Sequence, residues 1–319
     1  MMVSGRQYIL GSRILAILLL IGLPFFFYGG PLYHSARSYK AAWDLGHILF
    51  FTLLSLWLHD QLKVRGITWS GIRLFWTIFL VVFAVGLTVE IVQMLTTERS
   101  PDLFDLLRDL LGCLLAVAWL IRPPLLTGKR LPIFLRIAVV LLLAGAMWPL
   151  SKAMVDEYLA ARQFPVLADF ETPFERYRWN NVRQVQVENT TVRHGSRAMR
   201  VQLSTAKYSG IALFYFPHDW RGYGTLHWSV YNPQSDPLVL NCRIHDVHHK
   251  DNGSEFADRF NQQFVLQHGW NDLTVALERV HHAPKGRAMD MEHIEGFGLF
   301  VVQQASPMVI YLDHVYLGE

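Results

Sequence analysis

The chain has 319 residues, 52% of them hydrophobic, with a net charge of only +3. That length accommodates two domains, and so small a charge argues against a nucleic-acid partner. Two cysteines, Cys113 in an apolar run and Cys242 in the polar half, are not expected to meet in a disulfide.

The apolar residues crowd into the first 150 positions. A helix needs about 20 mostly apolar residues to cross ~30 Å of hydrocarbon. Five segments approach this, at about 12–30, 43–60, 72–95, 102–121 and 131–150. The first run also has the form of a signal peptide, with Arg6 and Arg13 before it and small residues at Ser35-Ala36, although Phe25, Phe26 and Phe27 make its end bulky. With the N-terminus in the cytoplasm, inner segments carry Arg6, Arg13, Lys63, Arg65, Arg73, Arg122, Lys129 and Arg130. Outer loops carry Arg37, Lys40 and Arg99, a bias of eight to three. Five crossings then leave everything after residue 150 outside the cell membrane.

Polar residues interrupt these runs in a pattern. Asp44 and His47 open the second segment, and Glu90 and Gln93 close the third. Asp102, Asp105 and Asp109 share one face of the fourth, continued by Gly112. All fall at the outer helix ends. Carboxylates within a membrane cost ~2.5–3.5 kcal/mol each on insertion scales and face a partner or a wet cavity. Arg99 is the expected counter-ion, because the helical wheel turns Arg108 away from the Asp105–Asp109 face. The cluster reads equally as a scaffold tying three helices together or as a ligand or catalytic site. A proton path and a divalent metal are weaker alternatives.

Trp43-Asp44-Leu45-Gly46-His47, Glu90-x-x-Gln93, Arg99 and Asp105-x-x-x-Asp109-x-x-Gly112 resemble the VanZ-like domain over about residues 10–122. Leu45 stands where that family commonly has Lys, and Asp109 where it has Asn. The resemblance implies a cell-envelope role near the outer leaflet, like that of the glycopeptide-antibiotic accessory protein that names the family. It carries no established reaction.

Residues 151–165 read as a helical exit and linker. From 166 the pattern changes to period two. Strands are expected at Ala198–Leu203, Gly210–Phe216, Thr225–Tyr231, Leu238–His245, Arg259–Leu266, Asn271–Leu277, Gly296–Val302 and Met308–Leu317. The expected fold is thus a membrane helical bundle of about five crossings (1–150), then an all-β jelly-roll sandwich (166–319).

The stretches Leu167–Glu171, His194–Val201, Gly269–Asn271 and Tyr311–Val315 resemble the galactose-binding-like sandwiches of carbohydrate-binding modules. That resemblance implies a structural calcium, held at Asp169, Glu171 and Asp313 with backbone oxygens near Gly195. The alternative is that these acids cap turns. A sugar site combines an aromatic plate with placed polar groups. The candidates are Tyr177, Trp179, His245, Asp246, Arg259 and Gln262, with core burial the competing account of Trp179 and an ion pair to Asp246 or Asp258 that of Arg259. His245-Asp246-Val247-His248-His249 has the composition of a metal cluster, but reads better as a solvated loop.

The expected function is a non-catalytic envelope protein, with a glycan-binding sandwich and helices that anchor it or bind a lipid-linked partner. The alternative is an enzyme acting at the outer leaflet on a lipid-linked or phosphorylated intermediate through Glu90, Asp105 and Asp109. No nucleophile–base motif is present to favour it.

Overall fold

The computed structural model describes residues 5–32, 34–67, 69, 71–96, 102–121, 131–181 and 184–319. The chain forms two compact units, Met1–Ser151 and Lys152–Glu319.

The first unit is helical. Its elements are α1 (Gly5–Gly22), a 3-10 turn (Leu23–Phe26), α2 (Arg37–Val64), α3 (Gly71–Thr96), α4 (Leu103–Leu115) with a π-type continuation (Ala116–Ile121), and the start of α5 (Leu131–Gln163). Among the described residues, three helices are long and apolar enough to cross a membrane: Arg37–Val64, Gly71–Leu95 and Ile133–Gln163. The other two expected spans form shorter helices. Pro24 lies in the first turn of the 3-10 segment that ends the first, and α4 continues into the wider π turn. Phe51, Ile78, Val82, Cys113 and Ala116 form the core where α2, α3 and α4 meet. Gly112 permits close approach: a Cβ there would lie 2.5 Å from the Ile48 carbonyl oxygen and 3.0 Å from the Thr52 nitrogen. The Thr52 hydroxyl donates to the Gly112 carbonyl at 3.1 Å and so seals this contact.

The expected exit segment is helical. Residues through Gln163 continue α5, and from Lys152 they belong to the second unit. Ala153 and Ala160 of this segment are buried.

The second unit is a sandwich of two antiparallel sheets. Its strands are β1 (Val166–Ala168), β2 (Val185–Glu188), β3 (Ala198–Leu203), β4 (Tyr208–Leu213), β5 (Thr225–Asn232), β6 (Leu238–Asp246), β7 (Phe260–Leu266), β8 (Gly269–Ala276), β9 (Ile294–Val302) and β10 (Met308–Gly318). One sheet runs β2-β3-β10-β5-β8, with β1 also on β10; the other runs β4-β9-β6-β7. The eight expected strands are all present, with ends shifted by up to three residues. β1 and β2 are additional, being too short to carry a period. Alternation drives the layering: Ile310 and Leu312, Val230 and Trp228, and Leu240 and Cys242 enter one shared core with Trp179 and Phe297. Both cysteines are free and buried.

Candidate functional sites

In the helical unit, α2 and α4 bring five charged or titratable side chains together, Asp44, His47, Asp105, Arg108 and Asp109. His47 Nδ1 lies 2.8 Å from Asp109 Oδ1, and its Nε2 lies 3.7 Å from Asp105 Oδ2. Arg108 pairs with Asp105 and reaches Asp44 at 3.3 Å. Among the described residues, the counter-ion is Arg108. Asp105 and Arg108 are three apart and so neighbours on the helix surface, which a long guanidinium arm exploits. Arg99 lies outside the described residues. Asp102 is the N-cap of α4, accepting from the Phe104 nitrogen at 2.8 Å.

The α3 pair has a different role. Glu90 Oε2 accepts the Asp102 N–H at 3.0 Å, and Gln93 Nε2 donates to the Phe26 carbonyl at 2.8 Å. Each holds a helix end in place. Glu90 Oε1 and Asp109 Oδ2 are buried and have no hydrogen-bond partner. His47 and Gln93 also line an apolar cavity of about 460 Å³, with Phe25, Trp43, Phe50 and Leu53. Asp44, Glu90 and Asp105 do not line it. Most of the cluster is thus spent on interhelical pairing.

In the sandwich, several candidates sit inside rather than outside. Trp179 is fully buried between Phe170 and Phe297, so it is a core residue and no sugar plate. Asp246 is fully buried as well, accepting from Arg287 Nη2 at 2.8 Å and the Asp290 N–H at 2.7 Å. Arg287 also grips Asp258 through Nε at 2.7 Å, and this bond holds the Asp258 carboxyl down to about 2. The Arg259 ion pair foreseen with Asp246 or Asp258 is not the one formed: Arg287 takes both acids, and Arg259 donates to Asn261 Oδ1 at 3.0 Å. Arg287 sits in a strandless loop, where sequence periodicity has nothing to say. Gln262 pairs in register with Cys242, and its Oε1 is buried. Tyr177 is half-buried, under the Lys152 ammonium at 4.9 Å. In the His-rich stretch, His249 is buried, with Nδ1 3.3 Å from Asp258 Oδ2.

A different set of side chains forms the outer face of the four-stranded sheet. Tyr208, 63% exposed, meets Phe300 edge to face at 6.0 Å. Arg243 crosses Gly298, where a Cβ would lie 2.8 Å from its Nε. Gln263 Nε2 donates to Asn241 Oδ1 at 3.1 Å, and Asn241 Nδ2 to the Phe300 carbonyl at 3.2 Å. Burial lowers the Arg259 pKa, and the neighbouring Arg243 cation adds to this. The face therefore joins two aromatic rings to two guanidiniums and two amides. Alternation alone marks Asn241, Arg243 and Gln263 as outward, but only strand pairing sets them beside Tyr208 and Phe300.

The acids expected to hold calcium are largely occupied by N–H donors. Glu171 Oε1 accepts the Ser196 N–H at 2.6 Å and the Arg197 N–H at 2.8 Å, while Oε2 accepts the Ser196 hydroxyl at 2.6 Å. Burial raises its pKa, but these bonds outweigh burial and hold the carboxyl below the usual range. Asp313 Oδ2 accepts the Arg193 and His194 N–H groups at 2.7 and 2.9 Å. Burial pushes the Asp313 carboxyl up, and its Oδ1 is buried without a partner. Asp169 Oδ1 accepts the Glu171 N–H at 3.1 Å. Glu171 thus caps the 195–197 turn. Asp313 Oδ1 is a buried hard oxygen of the type calcium uses.

No protein-family model matches the chain, and no curated protein matches it. Among solved structures, the sandwich is similar to a family 11 carbohydrate-binding module from Clostridium thermocellum, solved with a beta-1,3-1,4-mixed-linked tetrasaccharide. That match is 15% identical, covers 48% of this chain and 94% of that one, and has a TM-score of 0.34. A family 30 carbohydrate-binding module of a cellulosomal cellulase from the same organism is 15% identical over 43% of this chain and 83% of its own, with a TM-score of 0.34. An exo-beta-agarase is 13% identical over 48% of this chain and 24% of its own, with a TM-score of 0.38.

Proposed function

We propose that the chain is a multi-pass cell-membrane protein whose helices anchor a glycan-binding sandwich on the outer side, with the N-terminus in the cytoplasm. The eight-to-three bias of Lys and Arg supports that orientation. The observation that carries the glycan reading is the exposed Tyr208 ring set on Phe300 beside Arg243, Arg259, Asn241 and Gln263. An aromatic plate takes the C–H face of a pyranose, and the amides and guanidiniums take its hydroxyls. The ligand is an envelope glycan. The VanZ-like resemblance of residues 10–122 supports a lipid-linked envelope partner for the helices. Calcium at Asp313 and Asp169 belongs to the same reading, and chelator should then lower the melting temperature of the sandwich.

The test is a titration of the full chain, in a detergent without a sugar headgroup, with cellotetraose and with muramidase-released peptidoglycan disaccharide. Tyr208→Ala should weaken binding about tenfold, ~1.4 kcal/mol. Unchanged affinity for both probes would remove this face from the proposal.

A second reading, an enzyme acting on a lipid-linked or phosphorylated intermediate, is favoured by the unpartnered Glu90 Oε1 and Asp109 Oδ2. Glu90→Gln and Asp105→Asn discriminate. Loss of an envelope phenotype at normal folding yield supports a functional site, whereas joint loss of phenotype and yield leaves only scaffolding.

A further inference from the structure

We propose that the outer face of the six-stranded sheet is a second glycan-binding site, built on a row of rings contributed by Tyr311, Tyr231 and Trp270. Tyr311 stands directly opposite Tyr231, and Tyr231 directly opposite Trp270, so the three rings cross β10, β5 and β8 in register. Their centroids are 6.0 and 5.4 Å apart, with tilts of 66° and 59°. Arg200 of β3 stands opposite Tyr311, and Gln186 of β2 opposite Arg200, so the row continues as polar groups.

The next row on this face is polar, with Asp313 and Ser229 buried and Asp272 exposed. Asp313 stands opposite Ser229, and Ser229 opposite Asp272. The Ser229 hydroxyl donates to Asp272 Oδ1 at 2.8 Å, and Arg193 Nη2 donates to Asp272 Oδ2 at 2.7 Å. Arg193 and Asp272 are both about half exposed.

Packing alone does not require this arrangement. The inward positions of the same strands, Ile310, Leu312, Val230 and Trp228, already fill the core. A solvated face of an antiparallel sheet ordinarily carries polar residues. Cross-strand aromatic pairs contribute ~0.2–1 kcal/mol each, so three half-buried rings add little that smaller side chains would not.

The chemistry that fits is a linear glycan lying across the strands. Strand spacing makes the ring row about 10 Å long, roughly two pyranose units. The rings meet the C–H faces of the sugars, Asp272 and Arg193 meet the hydroxyls along one edge, and Arg200 meets them at the end of the row. This face belongs to the opposite sheet from Tyr208 and Phe300, with the core between them. A module with two such faces bridges two glycan chains and gains avidity without any new contact.

The experiment is calorimetry on the full chain in a detergent without a sugar headgroup, with cellotetraose and muramidase-released peptidoglycan disaccharide as probes. Trp270→Ala and Tyr231→Ala, each placed in a Tyr208→Ala background, should weaken the remaining binding at least about tenfold. Trp270→Phe, which keeps a ring, should retain it. Should Trp270→Ala fail to fold, Asp272→Ala at an exposed position reads the same site. The proposal is overturned if Tyr208→Ala alone abolishes binding, if the ring variants bind unchanged in that background, or if the wild type binds neither probe. Loss through Trp270→Ala with Tyr208→Ala silent would support this face and remove the other.

Discussion

Arg178 and Asp156 form a fully buried ion pair that fastens the end of α5 to the sandwich. Arg178 Nε lies 3.1 Å from both Asp156 oxygens, Nη2 lies 3.0 Å from Oδ1, and Nη1 donates to the Leu167 carbonyl at 2.9 Å. The Arg178 carbonyl accepts the Phe214 and Tyr215 N–H groups. One residue thus ties α5, β1 and the end of β4 together.

Removing one partner strands the other charge in the interior. Asp156→Ala should destabilise the second unit by about 3–5 kcal/mol, whereas Asp156→Leu with Arg178→Met should recover most of that loss. Chemical denaturation of the full chain, followed by tryptophan fluorescence, measures both. A single variant as stable as the wild type would mean that the pair is not buried as described.

The Arg287 clamp predicts a pH dependence. Arg287 holds Asp258 to about 2, and Asp246 is also lowered: burial raises it, but bonds from Arg287 and the Asp290 N–H outweigh burial. A depressed carboxyl contributes stability that is complete above its unfolded pKa, about 3.9, and is lost as pH falls through the folded value. The sandwich should therefore weaken between about pH 4 and pH 2. Arg287→Ala should be less stable at pH 7 by roughly 3 kcal/mol or more, with a shallower loss over that acid range. Parallel acid slopes in the two proteins would refute the clamp.

Gly112 and Gly86 set the distance between helices. A Cβ on Gly112 collides with the α2 backbone at Ile48 and Thr52, and one on Gly86 collides with the Asp109 carboxylate. Gly112→Ala should cost ~1–3 kcal/mol, because backbone cannot move aside as a side chain can. The readout is the melting temperature of the purified chain in detergent. Gly46→Ala, where a Cβ meets nothing within 4 Å, is the neutral control.

Much of the architecture was legible in residue order. Runs of apolar residues near membrane thickness marked the helical half, and period-two alternation from 166 onward marked the strands, because both signals depend only on neighbours along the chain. The sequence also singled out Asp44, His47, Asp105 and Asp109 as a group, since charges are conspicuous in apolar surroundings. What it could not supply was partnership. Arg108 reaching Asp44, Arg287 rather than Arg259 as clamp, and Trp179 packed against Phe297 all depend on contacts between residues distant in sequence. The same holds for the two ring-bearing faces. Tyr208 and Phe300 lie 92 positions apart, and Tyr311, Tyr231 and Trp270 come from three strands. Local propensity makes each strand, but only sheet register decides which side chains share a surface.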